Sequence, residues 1–220
     1  MKYLKSAILP LLLLLVAQCL TYYLAQLINY HWTHYDLTIP WFDDLIPFWS
    51  VFIIFYIIAY LLWYLFPLLI FKNDRKAFYN YIIGTLICCG ICFIIFIIFP
   101  TTNVRPIVDS ESSIFSKLVN LIYQMDSPQM PNNLFPSMHC LISWNIFYVI
   151  RKNKNFQFSI RLSITILVML ICLSTQFIKQ HYIVDFIMGV IISEVVMLIT
   201  TRLNLGKFFC KEKLHDHQSI

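Results

Sequence analysis

Charge is scarce in this chain. Asp, Glu, Lys and Arg make up 12% of its 220 residues, while 60% are hydrophobic and the mean hydropathy is +0.73. A soluble domain of this length cannot cover so much apolar surface, so the composition excludes that class and implies an integral membrane protein. Repeats, low-complexity tracts and linkers are also lacking, which leaves one domain, 1–220. No disulfide framework is legible. Seven cysteines are an odd number, six fall within apolar runs, and Cys89-Gly90-Ile91-Cys92 has no His or carboxylate close in sequence. These thiols read as small apolar packers, and neither a structural metal nor a cofactor is implied.

What the chain has instead is long apolar runs. Crossing the hydrocarbon core takes ~20 apolar residues, and six stretches qualify or nearly do: about Leu4–Ile28, Ile46–Phe71, Tyr81–Phe99, Pro136–Ile150, Phe158–Ile178 and Tyr182–Leu203. The expected fold is all-α, a polytopic bundle of six transmembrane helices. The fourth stretch, at 15 residues, must tilt, thin the bilayer or be capped by the loop before it. The first is too long for a signal-peptide core, since its apolar run continues through Tyr22–Ile28. Gln18 before Cys19 also spoils a lipoprotein cleavage box.

Positive charge orients the bundle. With the N-terminus cytoplasmic, the inner segments carry Lys2 and Lys5; Lys72, Arg75 and Lys76; Arg151, Lys152, Lys154 and Arg161; and Arg202, Lys207, Lys211 and Lys213. That is 13 of the 16 basic residues, and the outer side keeps Arg105, Lys117 and Lys179. Both termini are therefore expected inside. The net charge of +5 is mostly this signal, with some attraction to anionic inner-leaflet lipid. It does not point to nucleic acid. The Ile-, Lys-, Asn- and Phe-rich composition suggests an AT-rich bacterial genome, with the protein in the cell membrane. Oligomeric state is not legible.

Two outer loops stand out. Residues 29–44 hold His31, His34, Asp36, Asp43 and Asp44 among Tyr and Trp; without a complete coordination set, they read as an acidic, aromatic interfacial loop rather than a metal site. The longest loop, 100–135, contains the stripe Ile114, Leu118, Leu121, Ile122 and Met125. That spacing suits a short helix, either lying in the interface beside a lipid entrance or covering the top of the bundle.

Two strings carry the chemistry. His181 and Asp185 lie four apart at the start of the last apolar run, on one helix face. There the carboxylate can restrain the ring and leave the other nitrogen as nucleophile or base. Such residues within a span are functional suspects by default. Phe135-Pro136-Ser137-Met138-His139 opens the fourth run. Pro136 suits a first helical turn, the helix N-terminus favours an anion, Ser137 adds a hydroxyl, and His139 is close enough to move a proton. Of the three outer cations, Arg105 and Lys179 sit next to these strings and are the candidates to hold phosphate. Glu194, nine residues past Asp185 and so roughly 13 Å deeper along the helix, reads as a protonated structural group or a proton relay, the former preferred.

These strings resemble the motifs of the type-2 phosphatidic acid phosphatase superfamily, whose soluble relatives include vanadium haloperoxidases. Of that family's Lys–x6–Arg–Pro string, Arg105-Pro106 is present. Its Pro–Ser–Gly–His string corresponds to Pro136-Ser137-Met138-His139. The third string, Ser–Arg–x5–His–x3–Asp, matches at Ser174, His181 and Asp185. The family lysine falls on Ile98, the glycine on Met138 and the third-string arginine on Thr175. The His-Tyr-x-x-Asp ending is similar to the inositol phosphorylceramide synthase and sphingomyelin synthase branch, which passes a phosphoryl-linked headgroup to an alcohol.

The resemblance implies a metal-independent enzyme acting on a lipid phosphate or pyrophosphate at the extracytoplasmic face through a phosphohistidine. His181 would be the nucleophile, Asp185 its orienting partner and His139 the acid–base group. Arg105, Ser137, Lys179 and Ser174 would hold the substrate. Hydrolysis and transfer both stay open, and a non-catalytic lipid-phosphate binder or transporter is the reading from another class.

Overall fold

The computed structural model describes residues 2–126, 131–151 and 153–210, so of the basic residues expected inside, Lys152, Lys211 and Lys213 lie outside the described part. Helix α1, Lys2–Cys19, runs through a π-helical turn, Leu20–Leu24, into α2, Ala25–Asn29. A two-residue strand β1, Tyr35–Asp36, and a short α3, Pro40–Asp43, fill the first loop. Helices α4, Ile53–Asn73, and α5, Arg75–Ile98, form a tight pair; Asp74 between them caps α5 by accepting the N–H of Ala77 at 2.9 Å. That cap starts α5 six residues ahead of the expected Tyr81. Strand β2, Thr101–Thr102, pairs parallel with β1 and ties the first loop to the segment that follows α5. Helices α6, Ile114–Asp126, α7, Met138–Ile150, α8, Phe158–Phe177, and α9, Ile183–Arg202, follow.

Among the described residues five helical segments are long and apolar enough to cross a membrane, and α7 is a shorter apolar helix of 13 residues. The reason α7 can be short is its position. It packs against α4, α5, α8 and α9, so its surface meets protein more than lipid. Ser143 and Asn145 in its middle are paired between helices, as a low-dielectric setting requires. Trp63 Nε1 donates to Ser143 Oγ at 2.9 Å, Asn145 Nδ2 to Thr85 Oγ1 at 3.1 Å, and Ser193 Oγ to Asn145 Oδ1 at 2.6 Å.

The basic connections gather at the end of the bundle away from His139 and His181. Asn153 Nδ2 reaches Asp74 Oδ2 at 3.1 Å, and the Gly206 N–H reaches Asn80 Oδ1 at 2.7 Å. Near that end Glu194 accepts both Arg151 nitrogens, at 2.5 and 2.8 Å, and Trp144 Nε1 at 2.7 Å. A two-pronged guanidinium contact belongs to an ionised carboxylate. The expectation of a protonated Glu194 is corrected: it is one half of an ion pair.

Helix α6 forms where the 114–125 stripe predicts a helix, but the buried face is turned so that only Leu118 and Ile122 of the stripe pack inward. Ser116, Val119 and Tyr123 turn inward, while Ile114, Leu121 and Met125 stay exposed. Tyr123 decides the rotation, because its hydroxyl donates to the Ile178 carbonyl at 2.5 Å beneath the helix.

Candidate active site

His139 stands in the first turn of α7 and His181 two residues before α9, and their ring centroids are 6.4 Å apart. Local chemistry explains both placements. Ser137, in extended backbone, is the N-cap of α7 and accepts the Cys140 N–H at 3.3 Å. Pro136 is therefore outside the helix rather than in its first turn, a correction to the expected boundary. The turn carrying His181 is held by the end of α8: the Thr175 carbonyl accepts the N–H groups of Gln180 and His181 at 3.0 and 3.1 Å. Lys179 takes a left-handed φ of 52° to make that turn.

The two helix starts are locked together. The Ser137 N–H donates to the Asp185 carbonyl at 3.1 Å, and Gly189 lies against α7 so closely that a Cβ there would sit 2.8 Å from the Ser137 carbonyl oxygen. Only glycine leaves room for this approach.

Aromatic rings from α4 enclose His139. Tyr56 stacks on it at 3.9 Å between centroids, Trp63 lies at 4.8 Å and Tyr60 meets it edge-on at 5.2 Å. His139 Nε2 is buried with no hydrogen-bond partner among the described residues. His181 Nδ1 faces Asp185 Oδ2 at 3.4 Å, an electrostatic contact rather than a tight hydrogen bond, since Oδ2 accepts the Tyr182 N–H at 3.0 Å. The carboxylate thus caps α9 and biases the ring of His181 at once.

Arg105 is delivered by the loop after α5. Its Nη2 contacts both Asp126 Oδ2 and Gln180 Oε1, and its guanidinium lies 4.6 Å from the centroid of the Tyr123 ring. Burial pulls the guanidinium down to about 10 and pushes the Asp126 carboxyl up to about 7. Asp126 and Gln180 line a cavity of about 240 Å³ together with His139 and His181. Arg105 is not itself in the wall but is held directly behind it through Asp126 and Gln180, and two imidazoles, a titratable carboxyl and that neighbouring cation can bind an anion and pass protons.

The other expected site residues lie elsewhere. Lys179 Nζ donates to the carbonyls of Asp43 and Ile46, at 2.7 and 2.6 Å, and so points to the first loop. Ser174 Oγ donates to the Ile171 carbonyl at 2.6 Å inside α8. Neither lines the cavity, and Ser137 and Asp185, like Arg105, are not part of its wall either; the fully buried Ser137 hydroxyl serves as the α7 cap. At the positions of the two absent family cations, Thr175 is fully buried and Ile98 is largely exposed. Sequence reasoning missed Asp126, Gln180 and Asp43. Tyr56, Tyr60 and Trp63 carried a signal, their helical spacing on one face, although core aromatics show the same pattern. In the first loop, Asp43 spends its carboxylate on the N–H groups of Ile39 and Ile183.

A family model described as the PAP2 superfamily matches residues 29–199. The chain belongs to the PAP2 superfamily. No curated protein and no solved structure matches it. The matched region takes in the elements around the PAP2 imidazole pair except α1, the π-helical turn and all but the last residue of α2.

Proposed function

We propose that this PAP2 protein hydrolyses a lipid phosphate or pyrophosphate at the extracytoplasmic face of a bacterial cell membrane, without a metal ion. The observation that carries the reading is the meeting of His139 and His181, 6.4 Å apart, beside the buried Arg105.

In the first step the His181 Nε2 lone pair forms a bond to phosphorus. The P–O bond to the lipid alcohol breaks, and a proton from the His139 imidazolium goes to the leaving oxygen. In the second, His139 takes a proton from water as that water attacks phosphorus. The N–P bond breaks and its electron pair returns to His181. Asp185 stabilises the positive charge on the His181 ring, while Arg105, with Gln180, and the N-terminus of α7 neutralise the phosphoryl oxygens. The clustering of basic connections at the opposite end supports an outward-facing site by the charge asymmetry of membrane proteins.

Transfer to an alcohol is a second reading, favoured by the shielding of the reacting rings: His139 is 8% exposed and His181 7%. A site that keeps bulk water away protects a phosphoenzyme until a bound hydroxyl arrives.

The test is a panel of lipid phosphates offered to purified protein, with and without acceptor alcohols. Phosphate release that His181→Ala abolishes, with an acid-labile phosphoenzyme absent from that variant, is the expected result. Headgroup transfer without phosphate release assigns the second reading. Lipid-phosphate binding with no turnover makes the protein a binder and ends both.

A further inference from the structure

The cavity reaches beyond the PAP2 match to the first helix. Gln18 of α1 and Tyr22 and Tyr23 of the π-helical turn form part of its wall, and π turns within helices often mark functional sites. Gln18 lies within an otherwise apolar run and is 7% exposed. Its Oε1 accepts the Tyr64 hydroxyl of α4 at 2.5 Å, which fixes the amide. Its Nε2 is buried and has no partner among the described residues. Across the same cavity Asn132 Oδ1 is likewise buried without a partner. A buried amide held at one end and unsatisfied at the other is costly unless a ligand completes it.

We propose that Gln18 is a specificity-determining residue whose Nε2 donates to an uncharged oxygen of the substrate, an ester carbonyl or a hydroxyl, carried within a few bonds of the phosphate. The proposal rests on the phosphohydrolase or transferase reading above. The proximity follows from the shared wall, because Gln18 and both imidazoles line one cavity. Gln18 would thus favour glycerol-based lipid phosphates over phosphates on a bare polyprenyl chain, which leaves the donor empty.

The full-length protein is assayed on three lipids: diacylglycerol phosphate, monoacylglycerol phosphate with its free hydroxyl, and a polyprenyl monophosphate with neither oxygen. Gln18→Leu is expected to lower kcat/KM on one or both glycerol lipids by roughly tenfold or more, mainly through KM, since a site built around a hydrogen bond discriminates by leaving it unmade. Turnover of the polyprenyl phosphate should stay within twofold. Which glycerol lipid suffers tells carbonyl from hydroxyl. Gln18→Asn, a polar and smaller change, should give the same selective loss if the leucine variant does not fold. Equal loss on all three lipids, no loss on any, or a wild-type preference for the polyprenyl phosphate overturns the assignment of Gln18. A wild-type protein inert on all three, with and without an acceptor alcohol, overturns the lipid-monophosphate reading on which the assignment rests.

Discussion

Asp43 Oδ1 accepts the N–H of Ile183 at 3.1 Å, so a carboxylate in the first loop caps the helix that follows His181. Its Oδ2 accepts the Ile39 N–H at 2.7 Å, and its own carbonyl takes the Lys179 ammonium. One nearly buried residue therefore joins the first loop to both sides of the turn that carries His181. Replacing Asp43 by Ala leaves two N–H groups unpaired and should destabilise the protein by about 1–3 kcal/mol. Because His181 loses its support, kcat should fall further than KM rises, and Asp43→Asn should recover part of the loss. Thermal unfolding and steady-state kinetics on the same preparations check both. Wild-type kcat in a folded Asp43→Ala variant would remove the positioning role.

Asp126 occupies the same guanidinium nitrogen that a phosphate would use. Two anions then compete for Arg105. Burial pushes the Asp126 carboxyl up to about 7, so as pH falls through that value the group takes a proton and releases Nη2. Phosphate binding should tighten towards the acid side for as long as the substrate keeps a negative charge. Asp126→Asn should lower KM several-fold at pH 8 and flatten the dependence of KM on pH. A raised KM in that variant would instead make Asp126 a support for Arg105.

Gly189 faces the Ser137 carbonyl with no room for a methyl group. Gly189→Ala must push α9 away from α7 or strain the N-cap, and overpacking of this kind costs about 1–3 kcal/mol. The displacement acts directly on the spacing between His139 and His181. Activity should drop at least tenfold at a temperature where the variant stays folded, as judged by circular dichroism.

Lys179 is adjacent in sequence to the site and yet turned from it. Lys179→Gln should leave KM for a lipid phosphate within about twofold and lower thermal stability instead, since a hydrogen bond from a charged donor is worth about 1.5–3 kcal/mol. A KM increase of tenfold or more would return the ammonium to the phosphate site.

The convergence of His139 and His181 was legible because imidazoles and carboxylates are rare in apolar helices, so two such strings stand out at once. The helices themselves follow from apolar run lengths, and α6 from its spacing. What the pattern could not supply was direction. The side chain of Lys179 is aimed by a left-handed backbone, and α6 is rotated by one tyrosine hydroxyl reaching Ile178. Asp43 and Asp126 were hidden for another reason: their partners lie 140 and 21 positions away, and loop residues carry no period. The shortness of α7 was visible, but its cause, enclosure by four neighbours, is a tertiary fact.

The shortness of α7 has a consequence for depth. At 13 residues the helix measures about 20 Å from end to end, whereas the hydrocarbon layer is about 30 Å thick. Where the far end of α7 meets the opposite interface and the bilayer is not pinched, the imidazole at its tip stands below the plane where phosphates normally rest. A substrate would then sink several ångströms to be reached, carrying its charge into a region that resists charge. The lipid's own tails, already anchored in the oily layer, would make that journey short.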